Sequence, residues 1–220
     1  MKIIGVVAGG PRDLLPDLKK YQDLVTEWAG ADRGVVYLAD ENIAMAKALG
    51  DFDSISKEER EELEQKGTNL SIYPSEKDKT DTELALDWAI EQKPDEIYLF
   101  GTTGGRLDHL YANIFLLMKQ FDEGVRIILA DKNNEVTFFK EGSYEVRESS
   151  HFPYLSFIPF KSDVKELTLE GFKYPLHKRF VPFASTLCIS NELIQPKGTF
   201  SFKSGILMMV RSRDDSSLPY

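Results

Sequence analysis

With 220 residues, 25.0 kDa and a net charge of −9 from 36 acidic and 27 basic side chains, the chain is long enough for one large domain or two small ones. A hydrophobic fraction of 42% beside 29% charged residues excludes a disordered or fibrous chain, and the acidic excess argues against nucleic acid or an anionic membrane as partner. Cys188 stands alone, so neither an internal disulfide nor a thiolate metal cluster is available. The apolar run at 3–8 is broken by Gly9-Gly10-Pro11 before a signal peptide or membrane span is complete; a soluble, cytoplasmic protein is expected.

In chain order, residues 3–8 read as a strand and 14–28 as a helix, from Leu14, Leu18, Tyr21, Leu24, Val25 and Trp28 at helical spacing. Residues 35–38 read as a strand, 42–49 as a helix, 57–66 as a charged surface helix and 70–73 as a strand. Then follow a helix over 81–92, a strand at 96–100, a helix over 107–121 and a strand at 125–130. This alternation predicts a mainly parallel, Rossmann-like sheet with helices on both faces. Beyond about residue 131 the pattern changes to short β-type runs at 136–139, 144–146, 154–158, 166–169, 185–189, 200–202 and 206–210, separated by turn residues. The expected organisation is an α/β nucleotide-binding domain over 1–135 and an all-β sandwich domain over 136–220.

Three clusters in the α/β half carry chemistry. Gly50-Asp51-Phe52-Asp53-Ser54 offers alternating carboxylates able to flank a divalent cation. The competing role is capping, since Ser56-Lys57-Glu58-Glu59 is a capping-box pattern. Lys77-Asp78-Lys79-Thr80-Asp81 lies between a strand and a helix, where open α/β sheets bind ligands; Thr80 with Glu83 explains a helix start but requires neither Asp78 nor Lys77. Gly101-Thr102-Thr103-Gly104-Gly105-Arg106 leads a strand into a helix, and its N–H groups with Arg106 could cradle phosphate. It matches neither the Walker A loop nor the dinucleotide fingerprint. His109 reads more simply as a surface or packing histidine than as a metal ligand. Together the three describe a metal–nucleotide site for phosphoryl or pyrophosphoryl transfer.

The ordered set of Asp32-Arg33-Gly34, Gly50-Asp51-Phe52-Asp53-Ser54, Lys77-Asp78-Lys79-Thr80-Asp81, Gly101-x-x-Gly104-Gly105-Arg106-x-Asp108-His109 with Asn113, and Ser190-Asn191-Glu192 resembles the motifs of thiamine pyrophosphokinases across nearly the whole chain. That resemblance implies a homodimer that moves the pyrophosphoryl group of ATP, with Mg²⁺, to the thiamine hydroxyl, the site lying at the subunit interface. It implies Asp51, Asp53 and Asp81 as catalytic, metal-associated carboxylates, with Arg106 as a further catalytic residue. Lys77, Asp78, Thr80, Gly104, Gly105, Arg106 and Asp108 then line the nucleotide side. Tyr174, Ser190 and Asn191 are placed near thiamine, with packing as the competing role of Tyr174.

Two rivals remain. Asp51-Phe52-Asp53 also matches the Asp-x-Asp signature of haloacid-dehalogenase-like phosphohydrolases, whose nucleophile ends an apolar strand; the helical reading of 42–49 weighs against it. A non-catalytic thiamine or nucleotide sensor would keep the aromatic pocket but need no carboxylate array.

Overall fold

The computed structural model describes residues 1–65, 70–72 and 78–215. The chain combines an α/β unit, Met1–Lys132, with a β unit, Asn133–Tyr220.

In the first unit, strands β1 (Ile3–Val7), β2 (Glu27–Ala31), β3 (Lys47–Gly50), β4 (Leu70–Ile72), β5 (Glu96–Phe100) and β6 (Arg126–Ala130) line up as β4-β3-β2-β1-β5-β6. Every pairing is parallel, with Val6 opposite Ala29 on one side and Leu99 on the other. Helices α1 (Gly34–Asp40), α2 (Lys57–Gln65), α3 (Asp81–Glu91) and α4 (Leu107–Leu116) join them, and α3 packs on β1, β2 and β3. The chain winds outward from β1 to β4, then returns to the opposite side of β1 with β5. That reversal leaves a crevice outside the carboxyl ends of β1 and β5, the place where such sheets bind ligands.

Three expected elements of this unit take a different state. Residues 14–28 are not one helix: short 3-10 turns occupy Arg12–Leu14 and Leu18–Tyr21, and Trp28 belongs to β2. Pro16 forces Leu15 into an extended conformation (φ −64°, ψ 139°), which stops helix propagation. The apolar spacing still reports burial, because Tyr21 meets Phe100 edge-on at 4.8 Å and Trp28 stacks on it at 5.8 Å. Residues 35–38 are helical rather than extended. Val35, Val36, Tyr37 and Leu38 are all buried, so no polar face marks the helical period. Residues 42–49 hold the turn that follows α1 and most of the strand β3 instead of a helix. Asn42 takes a left-handed φ of 56°, and the Ile43 N–H donates to the Leu38 carbonyl at 2.9 Å, a Schellman-type stop.

The expected helix over 107–121 ends as α4 at Leu116 and continues as a 3-10 turn and the short helix Gln120–Glu123. Lys119, in that turn, donates to Asp87 of α3 and pairs with Glu83 at 2.9 Å; Lys79 also reaches Asp87, at 2.7 Å. Burial pushes the Asp87 carboxyl up, but hydrogen bonds from Lys119 and Lys79 outweigh it and hold the group below the usual carboxylate range. Stability from a lowered carboxyl is present above its unfolded value and lost as pH falls through the folded one. Asp87→Asn is therefore expected to cost about 1 kcal/mol at neutral pH. In melting curves, the gap from wild type should narrow as pH falls below the carboxylate range; a gap that stays constant through acid would contradict this.

The second unit contains β7 (Asn134–Phe139), β8 (Gly142–Arg147), β9 (Tyr154–Glu170), β10 (Leu176–Val181), β11 (Asn191–Glu192), β12 (Lys197–Phe202) and β13 (Ser204–Ser212), all paired antiparallel. The separate runs expected at 154–158 and 166–169 are one strand. Its Lys161 and Glu166 adopt positive φ, so β9 bends, pairing with β13 along its first half and with β10 and β12 along its second. Phe157, Phe172, Phe200 and Leu207 fill the core this bend encloses. Residues 185–189 form turns rather than the expected strand. The exposed residues His177, Lys178 and Arg179 of β10 hid a strand that the sequence pattern missed.

Candidate active site

Two glycine-rich turns meet at the crevice. The Ala8 N–H donates to the Phe100 carbonyl and the Gly10 N–H to the Gly101 carbonyl, both at 2.8 Å. A Cβ on Gly10 would lie 2.5 Å from the Gly101 oxygen, and one on Gly101, at φ 65°, would lie 2.3 Å from the Ala8 oxygen. Only glycine lets these backbones approach so closely. The cleft they border has a volume of ≈ 320 Å³ and is lined by Gly9, Gly10, Asp32, Thr102, Gly104 and Arg106, among others. Asn113 of α4 is buried and donates to the Thr102 carbonyl at 2.9 Å, bracing the glycine loop from the helix that follows it. His109 also lines the cleft.

Carboxylates converge beside this loop. Asp32 follows β2, Asp51 follows β3 and Asp81 opens α3 after β4, and one oxygen from each lies within 4.8 Å of the others. Asp32 takes φ 50° in a turn so tight that a Cβ on Gly34 would stand 1.9 Å from the Val7 oxygen. Gly50 leaves equivalent room, since its Cβ would fall 2.3 Å from Asp32 Oδ1. Three hard oxygen donors at one point, with the flanking space kept open by a glycine, fit a hard divalent cation.

Of the residues expected in the site, Asp51 and Asp81 come together, and Asp32 takes the third place. Asp53 is exposed and stands outside the trio; its N–H donates to Asp51 Oδ1 at 3.1 Å. Asp78 is exposed. The Thr80 hydroxyl accepts from the Glu83 N–H at 3.2 Å and so caps α3 immediately before Asp81. Ser56 and Glu59 complete their capping box, at 2.8 and 3.1 Å, so the start of α2 is capped without Asp51 or Asp53. Gly104 and Gly105 hold φ of 78° and 65°. Arg106 grips Asp108 with two hydrogen bonds, at 3.1 and 2.5 Å, which pull the Asp108 carboxyl down to about 2. Lys77 lies outside the described residues.

In the β unit, the Asn191 side chain is 2% exposed and brackets Tyr174, accepting from its N–H at 3.0 Å and donating to its carbonyl at 2.9 Å. The Tyr174 ring is exposed, with Lys173 Nζ 5.7 Å from its centroid. Ser190 is exposed at φ 55°, and its N–H donates to Ser156 Oγ at 3.0 Å.

Carboxylates from the ends of β2 and β3 and from the start of α3, beside a glycine-rich turn and a helix N-terminus, define a phosphoryl- or pyrophosphoryl-transferring enzyme. Comparison with known proteins narrows that class. Residues 18–129 match the thiamin pyrophosphokinase catalytic domain and 143–207 the thiamin pyrophosphokinase vitamin B1 binding domain. The chain is 51% identical to the thiamine pyrophosphokinase of Bacillus subtilis (strain 168), over 97% of its own length and 100% of the relative's. The crystal structure of the B. subtilis enzyme superposes with a TM-score of 0.94, covering 97% of this chain and 100% of that one. A family protein from Enterococcus faecalis, 34% identical, gives 0.88 over 98% and 100%. The chain belongs to the thiamine pyrophosphokinase family and is an enzyme, a transferase of the kinase type.

Contrary to the helix expected over 42–49, Asp51 follows a strand, β3, as the nucleophile of a phosphohydrolase would. Family membership is what disfavours that rival and the sensor.

Proposed function

We propose that the chain transfers the pyrophosphoryl group of ATP to the primary hydroxyl of thiamine. The hydroxyl oxygen forms a bond to the β-phosphorus and gives up its proton to the surrounding water, the bond from that phosphorus to the α,β-bridging oxygen breaks, and AMP leaves with that oxygen. The products are thiamine diphosphate and AMP. The convergence of Asp32, Asp51 and Asp81 at the cleft holding the glycine loop carries this reading. These three residues hold Mg²⁺, which when bound supplies charge neutralisation at the phosphate oxygens. Asp53 orients Asp51 through its N–H.

The Gly101–Gly105 turn and the first turn of α4 offer N–H groups to the phosphates. Arg106 exchanges Asp108 for phosphate, to which its planar fork is equally suited. Transfer then rests on positioning and preorganised charge. Tyr174 presents a ring face to thiamine, with Asn191 fixing its backbone and Ser190 alongside. The finer fold assignment is a Rossmann-like first domain and a β-sandwich second domain, supported by the strand reversal at β1 and by the single core enclosed by β9. A cytoplasmic enzyme is in keeping with this chemistry, and among the described residues no helix is long and apolar enough to cross a membrane. The test is AMP release from ATP: it should require thiamine and stop when the divalent metal is chelated.

The working form is a homodimer with each site shared between subunits. Support comes from Leu107, Tyr111 and Phe115, which form one stripe on α4 at four-residue spacing, each more than half exposed. Phe180, Phe183, Leu187 and Ile189 are likewise exposed in the β unit. Co-expression of an Asp81→Asn chain with a separately tagged Asn191→Ala chain should restore up to about half the sites in doubly tagged dimers. Folded but inactive mixed dimers would place each site within one chain.

A further inference from the structure

We propose that Arg33 is a positioning residue that locks the Asp51 segment against the Asp32 turn and thereby sets the metal affinity of the site. The proposal rests on the reading of Asp32, Asp51 and Asp81 as the metal ligands.

Asp51 lies on a stretch between β3 and α2 that has neither strand nor helix to fix it. Arg33 is bonded directly to Asp32 in the chain, and its guanidinium reaches across to that stretch. Nη1 donates to the Ser54 carbonyl at 2.8 Å and Nη2 to Glu59 Oε1 at 3.0 Å. The other Glu59 oxygen is held by the Ser56 N–H at 2.8 Å. One planar group thus ties the residue after the first carboxylate to a carbonyl three residues past the second and to the cap of the helix that follows. Phe52 anchors the segment independently: its ring is buried among Val35, Val36, Ala48 and Leu63 despite a φ of 58°. Removal of Arg33 should therefore loosen the approach of Asp51 to Asp32 without unfolding the unit. Two separate guanidinium nitrogens meet these two acceptors, and the single nitrogen of lysine cannot reproduce that planar fork.

Groups that orient metal ligands typically change affinity by about 10–100-fold when removed. In calorimetric titrations of nucleotide-free protein with Mn²⁺ alone, a hard divalent probe, Arg33→Ala is expected to bind about tenfold more weakly than wild type. The Mg²⁺ concentration for half-maximal AMP release should rise by a similar factor, while kcat at saturating Mg²⁺ recovers toward wild type. Arg33→Lys should fall between the two, and Glu59→Gln, which weakens one of the two contacts, should shift less than Arg33→Ala. A purely structural role would lower the melting temperature and leave the Mn²⁺ affinity of the folded protein unchanged; wild-type affinity in Arg33→Ala overturns the proposal. If that variant does not fold, unchanged affinity in both Arg33→Lys and Glu59→Gln overturns it equally. Asp51→Asn separates the two levels of the argument. If it too leaves Mn²⁺ binding intact, the metal site itself has been misplaced and the Arg33 role falls with it; if it weakens binding while Arg33→Ala does not, only the positioning role is wrong.

Discussion

Replacement of Asp81 by asparagine is expected to lower AMP release by about 100-fold or more while the melting temperature stays close to wild type. The amide keeps the size and the place of the side chain in the first turn of α3, with the Thr80 cap beneath it, but removes a negative charge from a point where three carboxylates meet. The same geometry ranks the other acids. Asp32→Asn should be as damaging as Asp81→Asn, because its oxygen belongs to the trio. Asp53→Asn should retain most turnover, because the contribution seen for Asp53 is a backbone N–H that asparagine preserves. Steady-state assays across an Mg²⁺ series check the ranking, and an Asp53 variant that fails where the Asp32 variant works would reverse the assignment.

Gly34→Ala should produce the largest loss of stability, about 3 kcal/mol or more, because a methyl group 1.9 Å from a backbone oxygen cannot be absorbed by a side-chain rotation. Either the start of α1 or the end of β1 must move, and both adjoin the Asp32 turn. In a chain of this size that loss corresponds to a drop of roughly 6–12 °C in melting temperature. Gly105→Ala is the internal comparison. Gly105 shares a left-handed backbone, φ 65°, but a Cβ there meets nothing within 4 Å, so only the conformational cost of about 1 kcal/mol applies. Equal melting temperatures for the two variants would mean that the close approach at Gly34 is not structural.

The β5 boundaries and the start of α3 could be read from sequence because local and global signals agree there. An apolar run at 96–100 is bounded by polar and glycine residues, and Thr80 with the Glu83 N–H makes an ordinary cap. The stretch from 14 to 38 takes states other than those its pattern predicts for two physical reasons. Pro16 overrode an apolar spacing that did describe burial, and complete burial of α1 erased the polar face that distinguishes a helix from a strand. That difference has a consequence for the site. With Trp28 read as helical, Asp32 does not stand at a strand's carboxyl end, so the sequence shows its motif without its place in the carboxylate trio. Asp53 was favoured by alternation along the chain, yet Phe52 at φ 58° with a buried ring turns the segment and leaves Asp53 outside. The role of Asn191 was similarly hidden, since nothing in the sequence tells that its amide is spent on both backbone groups of Tyr174, seventeen residues away.

The central claim is that carboxylates at the ends of β2 and β3 and the start of α3 serve transfer of an intact pyrophosphoryl group. Phosphorus NMR of the protein with ATP, Mg²⁺ and thiamine tests it most directly. AMP and thiamine diphosphate should accumulate in equal amounts without ADP, and both should be lost together in the Asp32→Asn and Asp81→Asn proteins. Formation of ADP with thiamine monophosphate, or unchanged product formation in those two variants, would contradict it.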